Sequence, residues 1–451
     1  MINIPVLSDV RTTRRRTKRQ IAISVVGRNG ADYGSRVHHD AMLEVTVRPE
    51  SVGFDPTRLR RIDTHFRGYV DRGLLTGWQI AVTRSGQIVH SSVYGQRDAE
   101  AGLPVEQDTL WRLASMTKPI TSVTAMTLWE EGHFELNDEV SRWIPAFKDM
   151  RVYKQGSPDD LVTLPATEPI RVWHLLSHTS GLTYGFLETS VVDALYRKAG
   201  YAINPPPGVN LEAACNTWAG LPLLFEPGTR WGYSVAVDVL GRLIEIWSGK
   251  SLDEAVRERI TAPLGMNDTR WWVEPNTADA ARLAALYTPA PDTRKPTRLD
   301  SLGNAVLGKP AMLAGGGGLL STASDYERFT QMLLRGGELD GVRVLAPRTL
   351  RLMTQNHLPG AQDLGALATG GFAETTYNGI GFGLGFAVVV DPRPSKTLVS
   401  PGEFYWGGVA STAFWVDPVE EVTAHFFTQL VPSTTYPIRS QLRQLVYSAM
   451  V

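Results

Sequence analysis

Ser115 and Lys118, in the stretch Leu113-Ala114-Ser115-Met116-Thr117-Lys118-Pro119-Ile120, set a small hydroxyl and an amine three residues apart. A serine hydroxyl is a weak nucleophile until a neighbouring base takes its proton, and lysine can be that base only where its ammonium form is disfavoured. The apolar run that follows reads as a buried helix over about residues 115–131. Helical spacing places the two side chains on one face, with roughly 5–6 Å between their Cβ atoms. Burial at the positive end of the helix disfavours the ammonium. The free backbone N–H of Ser115 at the helix start is one of the two donors an oxyanion needs. One turn of chain therefore predicts a nucleophile, a base and half an oxyanion hole. Ser-x-x-Lys is also a common helix start followed by a solvated lysine, so partners elsewhere must carry the argument.

Two stretches fit that part. Trp231-Gly232-Tyr233-Ser234-Val235 follows the turn Glu226-Pro227-Gly228-Thr229 and leads into a strongly periodic helix. A tyrosine at such a junction either packs in the core or presents its hydroxyl to a cavity. In Tyr405-Trp406-Gly407-Gly408-Val409-Ala410-Ser411, two glycines interrupt what reads as an edge of a sheet. Glycine there marks a bulge or a close approach of backbone to a ligand.

The elements that must position these residues are legible in the apolar spacing. Asp55-Pro56 opens a helix with Leu59, Ile62, Phe66 and Tyr69 on one face, stopped by Gly73. Runs over 78–83 and 87–93, joined by Arg84-Ser85-Gly86, predict a hairpin. Helices are predicted at 171–177, 193–199, 211–218, 234–248, 251–261, 323–334 and 347–356. The period then falls to two, predicting strands at 382–390, 398–399, 413–416 and 422–428 before a last helix at 438–447. Strands at both ends with helices between predict an α/β (α+β) fold: an antiparallel sheet flanked by helices, with a mainly helical inserted domain. The expected division is a leader at 1–44, read as disordered, a sheet domain from 45–124 and 306–451, and a helical domain at 125–305. The Ser115 helix lies at the junction, where a cleft forms.

Composition excludes several classes. The 451 residues, 43% hydrophobic and 20% charged with a net charge of −1, describe a globular chain without general attraction for nucleic acid or anionic lipid. A single cysteine, Cys215, excludes an intramolecular disulfide. His174 and His178 have i, i+4 spacing but no zincin glutamate between them, and no Cys/His cluster has zinc spacing, so no metal is expected. No Gly-x-Ser-x-Gly elbow occurs. The four glycines at 315–318 lack the following Gly-Lys-Ser/Thr of a phosphate loop and predict a tight approach beside the cleft. Arg14-Arg15-Arg16, Lys18 and Arg19 precede too short an apolar stretch for a signal peptide or a spanning helix, so the cytoplasm is the expected location.

Taken together, Ser115-Met116-Thr117-Lys118, Tyr233-Ser234-Val235 and Trp406-Gly407-Gly408 resemble the three ordered motifs of the serine β-lactamase and penicillin-recognising superfamily, in its class C-like branch. Leu175-Leu176-Ser177-His178-Thr179-Ser180-Gly181-Leu182, Phe225-Glu226-Pro227-Gly228, Pro263-Leu264-Gly265-Met266 and Gly315-Gly316-Gly317-Gly318-Leu319 resemble its recurring stretches, over about residues 50–450. Trp406 stands where lactamases and D,D-peptidases carry the lysine that holds a substrate carboxylate, and Val235 where lactamases carry asparagine. Both departures resemble family VIII carboxylesterases. The resemblance implies a β-lactamase/transpeptidase-like fold and a carboxylesterase without cofactor. In that reading Ser115 attacks a small-molecule ester, Lys118 and Tyr233 form a coupled base, and the backbone N–H groups of Ser115 and Val409 hold the oxyanion. Trp406, Gly407 and Gly408 line the substrate pocket. The alternatives are an acyltransferase using the same acyl-enzyme, a weak β-lactamase or D,D-peptidase, and, from a different class, a ligand-binding member without catalysis. Oligomeric state is left open.

Overall fold

The computed structural model describes residues 43–369 and 377–451. The leader assigned to 1–44 lies outside the described residues except for its last two. Asp55 caps the first helix, α1 (Pro56–Asp71), its Oδ1 accepting the Thr57 and Arg58 N–H groups at 2.7 and 3.2 Å. Proline at the first helical position has no N–H to lose. The hairpin follows as β1 (Gly77–Arg84) and β2 (Gln87–Asp98), turning on Ser85 and Gly86, both at positive φ. A short β3 (Leu103–Pro104) pairs with β2. Ser115 then falls in a tight turn of 3₁₀ helix, Ala114–Met116, that runs directly into α2 (Thr117–Glu130). From Thr117 to Leu128 every residue of α2 is buried, as expected of a helix inside the protein rather than on its surface.

Between α2 and the later strands come Val172–Leu176, Val191–Lys198, Leu211–Ala219, the long α3 (Ala236–Ser248), Leu252–Val256 and α4 (Ala323–Leu334). The sheet resumes with β4 (Ile380–Phe382), β5 (Ala387–Val389), β6 (Phe404–Gly407), β7 (Ala413–Asp417) and β8 (Val422–Phe427), and α5 (Ile438–Tyr447) closes the chain. The strand order is β4-β5-β6-β7-β8-β1-β2-β3, with every pair antiparallel. The β1–β8 pairing, Gln79 opposite Phe427 through Arg84 opposite Val422, joins the two ends of the described chain. Ile80, Val82, Trp415 and Phe426 share one core with Phe66 of α1 and Leu442 of α5, while Ala81, Phe414 and Phe427 face the core built on α2 and α4. Two covered faces explain strands without polar alternation. Burying each such aromatic side chain contributes about 1.5–3 kcal/mol.

Four local expectations need correction. The run 382–390 is not one strand: it folds back at Gly383–Phe386, where Gly385 has φ +105°, making the β4–β5 hairpin. Leu398 and Val399 form no strand, since proline and a short helix, Pro392–Ser395, have just interrupted the pattern. The stretch with two glycines is not at an edge: β6 lies between β5 and β7. An antiparallel hairpin at Arg151–Ser157 and Asp160–Pro165 interrupts the helical region, its exposed faces lacking the apolar signal of a buried strand.

α4 joins the sheet to the Ser115 turn. The Tyr326 hydroxyl donates to the Met116 carbonyl at 3.0 Å. The neighbouring Glu327 is buried among Gln331, Thr330 and Thr423, with His425 beside it at 3.2 Å. Burial pushes the Glu327 carboxyl up to about 7 and holds His425 down at about 3, so the imidazole is neutral. An unfolded glutamate ionises near 4.5, so this group's contribution to stability is full below that pH and is lost as pH rises through about 7. Glu327→Gln removes the charge and keeps the shape. Thermal melts are expected to show little change at acid pH and a higher midpoint than the parent above neutrality.

Candidate active site

Lys118, in the first turn of α2, is buried, and its Nζ donates to Ser115 Oγ at 3.3 Å and to the Gly316 carbonyl at 2.7 Å. The short turn before α2 sets this approach, because Ala114 takes a positive φ of 48° and swings Ser115 to the start of the helix. Backbone strain of that kind in a non-glycine residue accumulates at functional sites. Tyr233 arrives from the loop before α3, with the adjacent Gly232 N–H donated to the His178 carbonyl at 2.9 Å. Its ring centroid lies 4.4 Å from Lys118 Nζ, and the rings of His178, Tyr184 and Trp406 surround it at 5.0, 5.4 and 5.5 Å. Burial first, and then Lys118, holds His178 well below the usual imidazole range, so it adds no positive charge beside the amine.

The loop after β6 closes the other side. Gly408 packs so tightly on the Ser115 turn that a Cβ would overlap the Leu113 carbonyl and sit 3.0 Å from the Ala114 Cβ. Thr412 Oγ1 also donates to the Leu113 carbonyl at 3.0 Å. Glycine at 408 is thus required by the approach of two backbones. Ser115, Tyr233 and Val409 share the wall of one cavity of about 460 Å³, where Ala410 also faces the space. Trp406, Gly407 and Gly408, expected to line the pocket, stand behind its wall instead: Trp406 packs beside the phenol and against Phe382, at 5.3 Å, and the two glycines carry the chain to Val409, which does line it. The glycine run at 315–318 meets its expectation of a close approach: Gly315 and Gly316 give their carbonyls to Thr121 and Lys118.

The charged side chains on the cavity wall are Arg112 and Asp238. Arg112 is spent on protein acceptors, including the Gly303 carbonyl at 3.0 Å and Gln429 Oε1 at 3.2 Å, and burial lowers it to about 10. Asp238 accepts the Gly316 N–H at 2.9 Å. Burial pushes its carboxyl up, while Lys118, that N–H and the Tyr184 hydroxyl pull the other way. Sequence reasoning marks Gly316 only as part of the glycine run and does not reach Asp238 or Tyr184. The signal for Asp238 was a single carboxylate among Ala236, Val237, Val239 and Leu240, where an apolar residue is the rule. His174 is also engaged inside the protein, its Nδ1 accepting the Arg171 N–H at 3.0 Å.

A hydroxyl in contact with a buried amine, next to a buried phenol and open to a cavity, is the constellation of a serine hydrolase on the β-lactamase/transpeptidase-like fold. The chain belongs to the Beta-lactamase family, whose model matches residues 62–447. It is 37% identical to Protein Rv1367c of Mycobacterium tuberculosis over 81% of this chain and 88% of that protein. It is 30% identical to Esterase EstB of Burkholderia gladioli over 90% and 100% of the two chains. Among solved structures, EstCE1, a hydrolase with promiscuous acyltransferase activity, superposes with a TM-score of 0.72 at 28% identity, covering 87% of this chain and 99% of that one. A LovD6 mutant of Simvastatin Synthase from Aspergillus terreus shares the fold at 24% identity with a TM-score of 0.73, over 87% and 95% of the two chains. These relationships make the protein a serine hydrolase of the esterase type that works through an acyl-enzyme. Among the described residues, no helix is long and apolar enough to cross a membrane.

Proposed function

We propose that the protein is a carboxylesterase for neutral small-molecule esters with small or medium acyl groups. The contact of Lys118 Nζ with Ser115 Oγ, in a cavity shared with Tyr233, carries this reading. Ser115 Oγ bonds to the ester carbonyl carbon while its proton passes to the Lys118–Tyr233 pair. The backbone N–H groups of Ser115 and Val409 stabilise the negative oxygen that forms. Collapse expels the alcohol, which receives that proton, and leaves an acyl-serine. Water then attacks the acyl carbon, giving one proton to the pair, and the acid departs as Ser115 Oγ is reprotonated. Lys118 and Tyr233 act as a unit in this scheme, so neither is assigned the proton alone.

The preference for neutral substrates follows from the cations the site does not offer. Arg112 is engaged by protein carbonyls, and Trp406 replaces the lysine that would hold a carboxylate. A fluorophosphonate is expected to add one adduct mass to the intact chain and to map to Ser115; an unmodified Ser115 with an intact fold removes the mechanism. Acyl transfer is the second reading, supported by the promiscuous acyltransferase activity of the EstCE1 relative. Competing water with added alcohols on a p-nitrophenyl ester separates the two. Free acid as the main product supports the esterase, and a dominant new ester supports the transferase.

A further inference from the structure

Asp238 occupies the first turn of α3 and is nearly inaccessible, with 4% of its surface exposed. Its Oδ1 accepts the Gly316 N–H at 2.9 Å, and the Gly316 carbonyl takes the Lys118 amine at 2.7 Å. Lys118 in turn donates to Ser115. A continuous path therefore runs from the carboxylate through one glycine to the amine and the hydroxyl. Gly316 can stand there only without a side chain, because a Cβ would lie 2.8 Å from Asp238 Oδ2 and 2.9 Å from the Tyr184 hydroxyl oxygen. Tyr184 hydrogen-bonds Asp238, and its ring centroid lies 5.3 Å from Lys118 Nζ.

We propose that Asp238 is a positioning residue for the Ser115–Lys118 pair: it anchors Gly316, whose carbonyl aims the amine at Ser115, and its charge balances the ammonium formed during acylation. The inference rests on the esterase reading above. The groups facing Lys118 are Ser115 on its own turn, Tyr184 and His178 from the segment after Val172–Leu176, Tyr233 in the loop before α3, Asp238 in the first turn of α3, and the Gly316 carbonyl. Burial keeps His178 neutral and Tyr184 protonated, and Asp238 is the carboxylate in this set. A buried ammonium without such a partner is costly.

Asp238→Asn separates the two contributions. Its amide oxygen still accepts the Gly316 N–H and its NH₂ group meets the Tyr184 oxygen, so the anchor remains while the charge is lost. The ammonium is then less favoured, and the neutral amine is reached at lower pH. With a short p-nitrophenyl ester, the acid limb of the kcat/KM profile is expected to move down by about one pH unit, the scale of losing one nearby opposite charge. Tyr184→Phe keeps the ring and removes the hydroxyl that supports the carboxylate, so its limb is expected to move the same way by less. It serves as the readout if the asparagine variant does not fold. An acid limb superimposable on the parent's in the folded variant, with Ser115 still labelled by fluorophosphonate, overturns the inference and leaves the esterase reading standing. A parent that neither turns over esters nor labels at Ser115 defeats the esterase reading itself.

Discussion

Ser115→Ala is expected to abolish hydrolysis of a short p-nitrophenyl ester, a loss on the order of a million-fold, the scale reached when a serine enzyme loses its nucleophile. The proposed oxyanion donors and the cavity remain in this variant, because both donors are backbone groups. Only the atom that forms the acyl bond is removed, along with a single 3.3 Å contact to Lys118. The fold is expected to persist, since no core packing is lost. A direct comparison of burst and steady-state release of p-nitrophenol, with intact mass to detect the acyl-enzyme, checks the result. Parental activity in this variant moves the nucleophile elsewhere in the chain.

Tyr233→Phe is expected to lower kcat by about 100- to 10,000-fold, the range for losing a group that moves a proton in the transition state. KM is expected to change little. The ring is retained, so the contacts with His178, Tyr184 and Trp406 stay, and Lys118 Nζ still has an aromatic face 4.4 Å away. The difference from the parent is one oxygen. A variant with parental kcat makes Lys118 the sole base and assigns Tyr233 to the wall. A fall in kcat with the acyl-enzyme trapped on the intact chain places the defect in deacylation, where the pair must activate water.

The antiparallel sheet and its flanking helices were readable because they depend on neighbours in sequence. Asp55-Pro56 starts α1 through a cap that reaches two and three residues along the chain, and Ile438–Tyr447 forms a helix because its apolar residues recur at helical spacing. The reading failed where a turn broke a uniform pattern, as at Gly383–Phe386, and where the apolar signal was weak, as in the 151–165 hairpin. Neither failure moved the site. The Ser115 turn, the Tyr233 junction and the Gly407-Gly408 passage each have a local signature.

Sequence alone therefore determined the parts: a hydroxyl and an amine one turn apart, a phenol at the head of a helix, and a glycine pair beside a strand. Only the tertiary structure decided the electrostatics around them. Asp238 looks like an isolated acid on an apolar helix until α3 lies against the glycine run, when its carboxylate meets the Gly316 N–H. Tyr184 and Gly316 likewise acquire meaning only through contacts between segments remote along the chain. Charge acts through space and burial, which residue spacing along one chain does not encode.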